Sequence, residues 1–454
     1  MTALAFDEDE IARAARGGQI LEWMRTAGLD AIHVALIDPS GTPREKRLGP
    51  GAAARAFESG WSFIDAIGWW GPDDDVGRSG GSEHQPATID MASGRRHPFD
   101  DNSAIFLADF DGPMAALSPR RQVEKMVARL ASAGLVCEIG WEYECILLES
   151  TTALASGETS GLEPALRDNR CWSSQTMATE AATIEGWTSA LAGGDVTVDH
   201  ICAELGPGCL ELALAHRGAL RAADDAAWAK IFTKAFFAQR GLVATFMAQV
   251  SDAFPGLGGH PSISLRSADD GLPAVAHEDG ALSPIGLAAI AGIVTLLPEL
   301  LVMATPTPNS YRRFGPGNWA PATATWGIGN YSCALRVVAD RPEATRLELR
   351  IPGADTGPHL CTAMVLGAAV WGIEQGLEAP PPVTAPQDGR NDSSSPPLPR
   401  DLIEAAQQFA ASPAASDLFG PEFVAHYAAG RIAEAQACNR FVSAQERLRY
   451  LRGA

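Results

Sequence analysis

The chain has 454 residues, more than one hydrophobic core usually serves, and its 46% hydrophobic and 20% charged residues are those of an ordinary globular protein. Its 35 basic and 55 acidic residues give a formal charge of -20, which argues against a nucleic-acid partner because no basic patch offsets the repulsion. The 8 cysteines show no paired metal spacing, and the acidic start lacks the basic and apolar pattern of a secretory leader, so reduced thiols in a cytoplasmic protein are expected.

In chain order, a helix over 9–27, a strand over 31–38 and a turn at Pro39-Ser40-Gly41 precede irregular Gly- and Asp-rich sequence up to Asp101. This predicts a small N-terminal unit over 1–112. Ser118-Pro119 then supplies an N-cap and a first-turn proline, Val123, Met126, Val127 and Leu130 repeat at helical spacing, and Gly134 ends the helix. A larger domain, 113–454, begins here. Strands are predicted over 136–148, 197–205, 208–215, 242–250, 333–338 and 346–351, with helices over 219–240 and 362–376. The stretch 149–195 carries no assigned element. The most apolar segment, 286–304, meets Pro298 and Glu299 after about twelve residues, too few to span a bilayer. It reads as a buried helix. A Pro/Ser/Asp-rich loop over 379–399 precedes two or three closing helices. Antiparallel strands with helices grouped to one side define an α+β fold.

Four short segments carry the chemistry. In Trp141-Glu142-Tyr143-Glu144-Cys145-Ile146 the strand period puts two carboxylates on one face and apolar bulk on the other. A Gly-Pro-Gly turn in Glu204-Leu205-Gly206-Pro207-Gly208-Cys209-Leu210-Glu211 folds the chain back and brings Glu204 towards Glu211. His260 follows a Gly-rich loop, and Arg346, Glu348 and Arg350 share one strand face. Each segment alone is an ordinary solvated strand of an acidic chain. Together, five glutamates and a histidine in apolar contexts are costly to bury unless they bind something positive. Oxygen-rich sets with one imidazole suit Mg2+ or Mn2+. Gly256, Gly258 and Gly259 are no Walker-type phosphate loop, because no Gly-Lys-Ser/Thr follows. His33 and His216, single histidines in apolar surroundings, read as hydrogen-bonded core residues.

These motifs resemble the glutamine synthetase family, from about Ile32 to the C-terminus. Gly140-Trp141-Glu142-Tyr143-Glu144 and the 204–211 segment resemble its first two metal strands, and Gly256-Leu257-Gly258-Gly259-His260 its metal-histidine loop. Asn309-Ser310-Tyr311-Arg312-Arg313 through Trp319-Ala320-Pro321 resembles the glutamate-binding flap, and Arg346-Leu347-Glu348-Leu349-Arg350 the last metal and phosphate strand. The resemblance implies a small β-grasp-like N-terminal domain and a large catalytic domain with a curved antiparallel sheet. It implies one cation on Glu144, Glu204 and Glu211 and another on Glu142, His260 and Glu348, two or three Mg2+ (or Mn2+) in all. L-Glutamate would meet Gly256, Arg313, Trp319 and Arg350, and ATP would meet Ser264, Arg336 and Arg346, with Arg313, Arg336 and Arg350 acting during transfer. The family joins the γ-carboxyl of glutamate to ammonia through a γ-glutamyl phosphate, in homo-oligomeric rings, which implies a dodecamer.

Departures bear on the amine. Trp319 stands where true glutamine synthetases carry a glutamate that helps deprotonate ammonium, and the aspartate segment that attracts ammonium is not found near Gly60-Trp61-Ser62-Phe63-Ile64-Asp65. Tyr331 replaces an arginine, Ser262 a histidine and Cys209 a glutamine. An amine other than ammonia is therefore expected. An aromatic amine is already unprotonated at neutral pH and would stack on indole, and Trp61, Trp69 and Trp70 favour a hydrophobic, aniline-like acceptor. A polyamine or alkylamine acceptor, a true glutamine synthetase and a non-catalytic regulatory relative are the alternatives.

Overall fold

The computed structural model describes residues 6–71, 74, 83–155, 161–168, 170–314, 320–339, 341–384 and 395–451. The first sheet contains β1 (Ala31–Ile37), β2 (Pro43–Leu48), β3 (Trp61–Ile64), β4 (His84–Arg96) and β5 (Ser103–Phe110), in the order β2-β1-β5-β4-β3. β1 and β5 run parallel at the centre and every residue of both is buried, as β-branched and apolar runs without alternation require. This is the β-grasp-like part. The helix predicted over 9–27 is two, Glu8–Arg16 and Ile20–Thr26, because Gly17-Gly18 interrupts it and Gly18 takes φ +65°. Among the described residues, the sequence expected to be irregular up to Asp101 contains a helix, Pro50–Ser59, and three strands, β2, β3 and β4. β4 was hidden by its own irregularity, a register shift between Asp90 and Arg95.

The second sheet is built on β6 (Leu135–Glu149), with β7 (Val198–Ala203), β8 (Cys209–Leu214), β9 (Arg217–Gly218), β10 (Leu242–Thr245), β11 (Gly259–Ser267), β12 (Trp326–Ile328), β13 (Leu335–Val338) and β14 (Arg346–Leu349). Its order is β12-β13-β14-β11-β6-β8-β7, with β9 and β10 also pairing β6. All pairs are antiparallel except β12 with β13. The sheet is curved, in an α+β fold. On β6, Ile139, Trp141, Tyr143 and Cys145 enter the core, where the Trp141 and Tyr143 rings stack at 5.2 Å. Against that core pack the helices Pro119–Ser132, Ala219–Ala238, Pro284–Leu300 and Pro358–Glu374. Ser118 caps the first of these, its Oγ accepting from Arg121 N–H.

Several boundaries differ from the sequence reading. The strand expected over 242–250 stops at Thr245, and β11 is a full strand despite Pro261 and three serines. Pro298 does not end the apolar helix, which runs to Leu300 and continues as a 3-10 turn. Long and apolar enough by composition to cross a membrane, that helix is 72% buried within the protein. Among the described residues, four helices rather than two or three follow the loop: Leu402–Ala411, Pro413–Phe419, Pro421–Cys438 and Ala444–Tyr450.

The first sheet is joined by ion pairs to the helices Pro119–Ser132, Ala219–Ala238 and Pro358–Glu374. Arg120 donates to Asp109 of β5 at 2.5 Å, to Asp90 of β4 at 2.6 Å and to both oxygens of Asp224 at 3.0 Å, and His359 Nε2 lies 2.8 Å from Asp224. Arg120 is 1% exposed and Asp109, Asp224 and His359 are buried with it, whereas Asp90 reaches the surface.

Candidate active site

The face of β6 opposite the core presents Glu142 and Glu144. β11 lies antiparallel beside it with His260 opposite Glu142, and β14 lies beyond with Glu348 opposite Ser262. Ligand atoms of Glu142, His260 and Glu348 fall within 4.8 Å of one another. On the other side of β6, Glu211 of β8 stands opposite Glu144. The β7–β8 hairpin turns where expected: Gly206 and Gly208 take φ +109° and +74°, and Glu204 N–H donates to Cys209 O at 3.0 Å. Cys202, Glu204 and Glu211 form a second group within 4.8 Å. Gly258 ties the two groups together. Its N–H donates to Glu144 Oε2 at 2.7 Å, and a Cβ there would lie 2.4 Å from His260 Nε2 and 3.2 Å from Glu144 Oε1. All six expected ligands therefore lie on one concave face.

Several carboxylates on this face crowd one another. Burial, then the neighbouring Glu348, raises the Glu142 carboxyl, and burial, then Glu142, Glu144 and Glu204, pushes Glu211 up to about 7. Burial also raises Glu144, against the Gly258 N–H and Arg313. The His260 imidazole is pushed well below its ordinary value by burial, then by Arg350, Arg313 and Arg336, and its buried Nε2 has no hydrogen-bond partner among the described residues. A neutral imidazole with an idle nitrogen beside crowded carboxylates is a donor set that divalent cations relieve. Five oxygen donors to one nitrogen fit Mg2+ or Mn2+.

Guanidinium groups border the carboxylates. Glu348 is 2% exposed and accepts from Arg336 at 2.8 Å and Arg350 at 2.5 Å. The Tyr331 ring lies 3.8 Å from the Arg336 guanidinium and 5.1 Å from that of Arg350, so Tyr331 packs against two of these arginines. Arg346 precedes Glu348 by two residues on β14 and shares its face. Ser264 lies on β11, opposite Glu138 and at the far end of the face from His260. Arg313, 3% exposed, donates to Ile351 O at 2.8 Å, while its Nε has no partner among the described residues. Gly256 leaves room for it, since a Cβ there would meet Arg313 Cγ at 2.9 Å. Asp355, not singled out from sequence, accepts from Thr307 at 2.7 Å and Ser310 at 2.6 Å and so fixes the turn that carries Arg313. Carboxylate groups that could hold divalent cations, flanked by arginines, form an arrangement suited to moving a phosphoryl group.

Trp319 lies outside the described residues. The other tryptophans are engaged within the chain: the Trp69 ring centroid is 3.8 Å from that of His426, Trp70 lies under Arg44, and Trp61 packs on the N-terminal core. His33 bonds Glu45 at 3.0 Å and Asp100 at 2.9 Å, the hydrogen-bonded role expected of it. Cys171, Cys202 and His200, which the motif reading passed over, border Glu204 and Glu211. For His200 and Cys202 the signal was available, because they precede Glu204 at the strand period of two.

Residues 116–450 match the family model for the glutamine synthetase catalytic domain. The chain belongs to the glutamine synthetase family and is a ligase. It is 29% identical to a glutamate-isopropylamine ligase of Pseudomonas sp over 95% of this chain and 97% of that one. A gamma-glutamylethanolamide synthetase of Streptomyces coelicolor is 34% identical over 74% of this chain and 72% of its own. In fold, the chain superposes on the GmaS/ADP complex with a TM-score of 0.83 at 24% identity, covering 95% of this chain and 99% of that one.

Proposed function

We propose that this enzyme joins the γ-carboxyl of L-glutamate to a small amine other than ammonia, at the expense of ATP and through a γ-glutamyl phosphate. The observation that carries the reading is the single concave face on which six cation-type side chains meet a border of arginines. On this reading Glu144, Glu204 and Glu211 hold one cation and Glu142, His260 and Glu348 another, with two or three Mg2+ or Mn2+ per chain. When bound, these ions neutralise and align phosphate oxygens.

The chain's own residues do the rest. Arg313 is poised to bind the glutamate carboxylate, in the space that Gly256 leaves open. Arg336, Arg346 and Arg350 present charge to the phosphate in transfer, and Glu348 fixes two of them in place. Ser264 and Arg346 lie on the part of the face assigned to ATP. A carboxylate is a poor acyl donor, so the γ-carboxylate first attacks the terminal phosphate and ADP leaves; the neutral amine then attacks the acyl carbon and phosphate leaves.

The acceptor is proposed to be a hydrophobic amine, aniline-like in having little need of a base, with Trp319 in its pocket. Support comes from the indole where the family carries a proton-accepting glutamate, and from relatives whose names specify isopropylamine and ethanolamide. Those two acceptors are alkylamines, which keeps an alkylamine in the test. The same reading divides the chain at residues 112 and 113, assembles it as a homo-oligomer, a dodecamer, and places it in the cytoplasm, in keeping with eight cysteines that form no disulfide among the described residues.

The test is a panel of ammonia, ethylamine, isopropylamine, aniline, putrescine and spermine with ATP, Mg2+ and glutamate, reading phosphate and γ-glutamyl product. Ammonia is expected to be a poor acceptor. The highest kcat/KM on ammonia would overturn the proposal, and an unchanged amine preference in Trp319→Ala would remove Trp319 from the acceptor pocket.

A further inference from the structure

The outer carboxylate group carries sulfur that a magnesium site has no use for. Cys202 Sγ, Glu204 and Glu211 place ligand atoms within 4.8 Å of one another, with Cys202 Sγ 3.6 Å from Glu211 Oε1. A second thiol arrives from a separate segment: Cys171 Sγ lies 3.1 Å from Glu204 Oε1. Its loop is pinned to the end of β7 by Trp172 N–H donating to Ala203 O at 2.7 Å, with Trp172 held at φ +55°, a left-handed conformation uncommon for a large side chain. His200 Nε2, 3.7 Å from Glu211 Oε1, offers a further donor.

Hard oxygen ligands suit Mg2+ and Mn2+, whereas thiolates select softer ions and raise affinity for Zn2+. We propose that Cys171, Cys202, Glu204 and Glu211 form a site for a thiophilic divalent cation, Zn2+, which takes the place of the hard cation and shuts the ligase off. The inference rests on the reading of Glu204 and Glu211 as ligands of the working cation. It adds a regulatory ligand to that site: scarce Zn2+ competes with abundant Mg2+ because only Zn2+ gains from the two sulfurs.

Co2+ is the probe, since it takes zinc-like geometry and gives a thiolate charge-transfer band in the near ultraviolet. Titrating the full-length, metal-free enzyme with Co2+ is expected to raise that band, and Zn2+ to abolish it. In Cys171→Ser/Cys202→Ser the band is expected to vanish, and the Zn2+ concentration that halves turnover in excess Mg2+ to rise by about 10-fold or more, as when donors around a metal are removed. No band in the wild type, or an equal band in the double variant, overturns the site. Equal Zn2+ inhibition of both proteins overturns its control of turnover. The band is read without substrates, so its failure is distinct from failure of the ligase reading, which the amine panel tests.

Discussion

Two regions of this molecule bury charge, and they do so in opposite ways. Where the first sheet meets the helices packed on the second, Arg120 meets Asp90, Asp109 and Asp224, so each of these ions has a partner of opposite sign, and His359 lies against Asp224. Burial opposes ionisation of Asp224, yet Arg120 and His359 outweigh it and hold the carboxyl below the usual range. On the concave face, Glu142, Glu144 and Glu211 are instead pushed up, first by burial and then by neighbouring carboxylates: Glu348 acts on Glu142, Glu204 on Glu144, and Glu142, Glu144 and Glu204 on Glu211. A paired buried ion holds a fold together, whereas buried ions of one sign mark a place for a ligand of the other.

The comparison breaks first at Asp224. Asp224→Ala takes two hydrogen bonds from buried Arg120 and removes the carboxylate that faces His359, and is expected to cost about 3–5 kcal/mol of stability in urea denaturation; a loss below about 1 kcal/mol would show that the network is not needed to hold the first sheet to its helices. Glu348→Ala should act differently, lowering turnover by at least about 10²-fold. Gly258→Ala forces a methyl onto His260 Nε2 and is expected to reduce turnover and the affinity for Mn2+ together by about 10-fold. If affinity for Mn2+ is unchanged, His260 is not a ligand. Glu211→Gln, by removing one of several like charges, should leave the metal-free protein equal in stability or raise its melting temperature by about 1–2 °C, while turnover falls.

The smallest effect lies in the N-terminal sheet. Burial disfavours the charged form of His33, but Glu45 and Asp100 overcome it and raise its pKa above the ordinary value. Its stabilisation is therefore full below about pH 6.5 and is lost as pH rises through the folded value. His33→Gln should lower the melting temperature more at about pH 5.5 than at about pH 8.5; the reverse order would show that His33 is neutral in the fold.

The concave face was legible because its chemistry follows local rules. Strand period put Glu142 and Glu144 on one side, and Gly206 and Gly208 announced the turn that returns Glu211 to Glu204. The Arg120 network was not legible, because Arg120 and Arg121 are neighbours in the first turn of one helix and only packing decides which is buried. Asp224 and Asp225 likewise sit inward on a helix whose polarity pattern does not reveal its buried face. β4 was obscured by its bulge and β11 by Pro261 and serines, which read as loop until neighbouring strands supply their partners. Cys171 reaches Glu204 across 33 positions, beyond any local pattern.

The central claim is that the concave face is a cation site. Mn2+ titrated into the full-length metal-free protein, with free ion read by electron paramagnetic resonance, tests it most directly. The account predicts at least about two Mn2+ bound per chain, with Glu142→Gln/Glu348→Ala losing one and Glu204→Gln/Glu211→Gln losing another. A wild-type chain that binds no Mn2+ at millimolar concentration, or binds it equally in all three proteins, would contradict it.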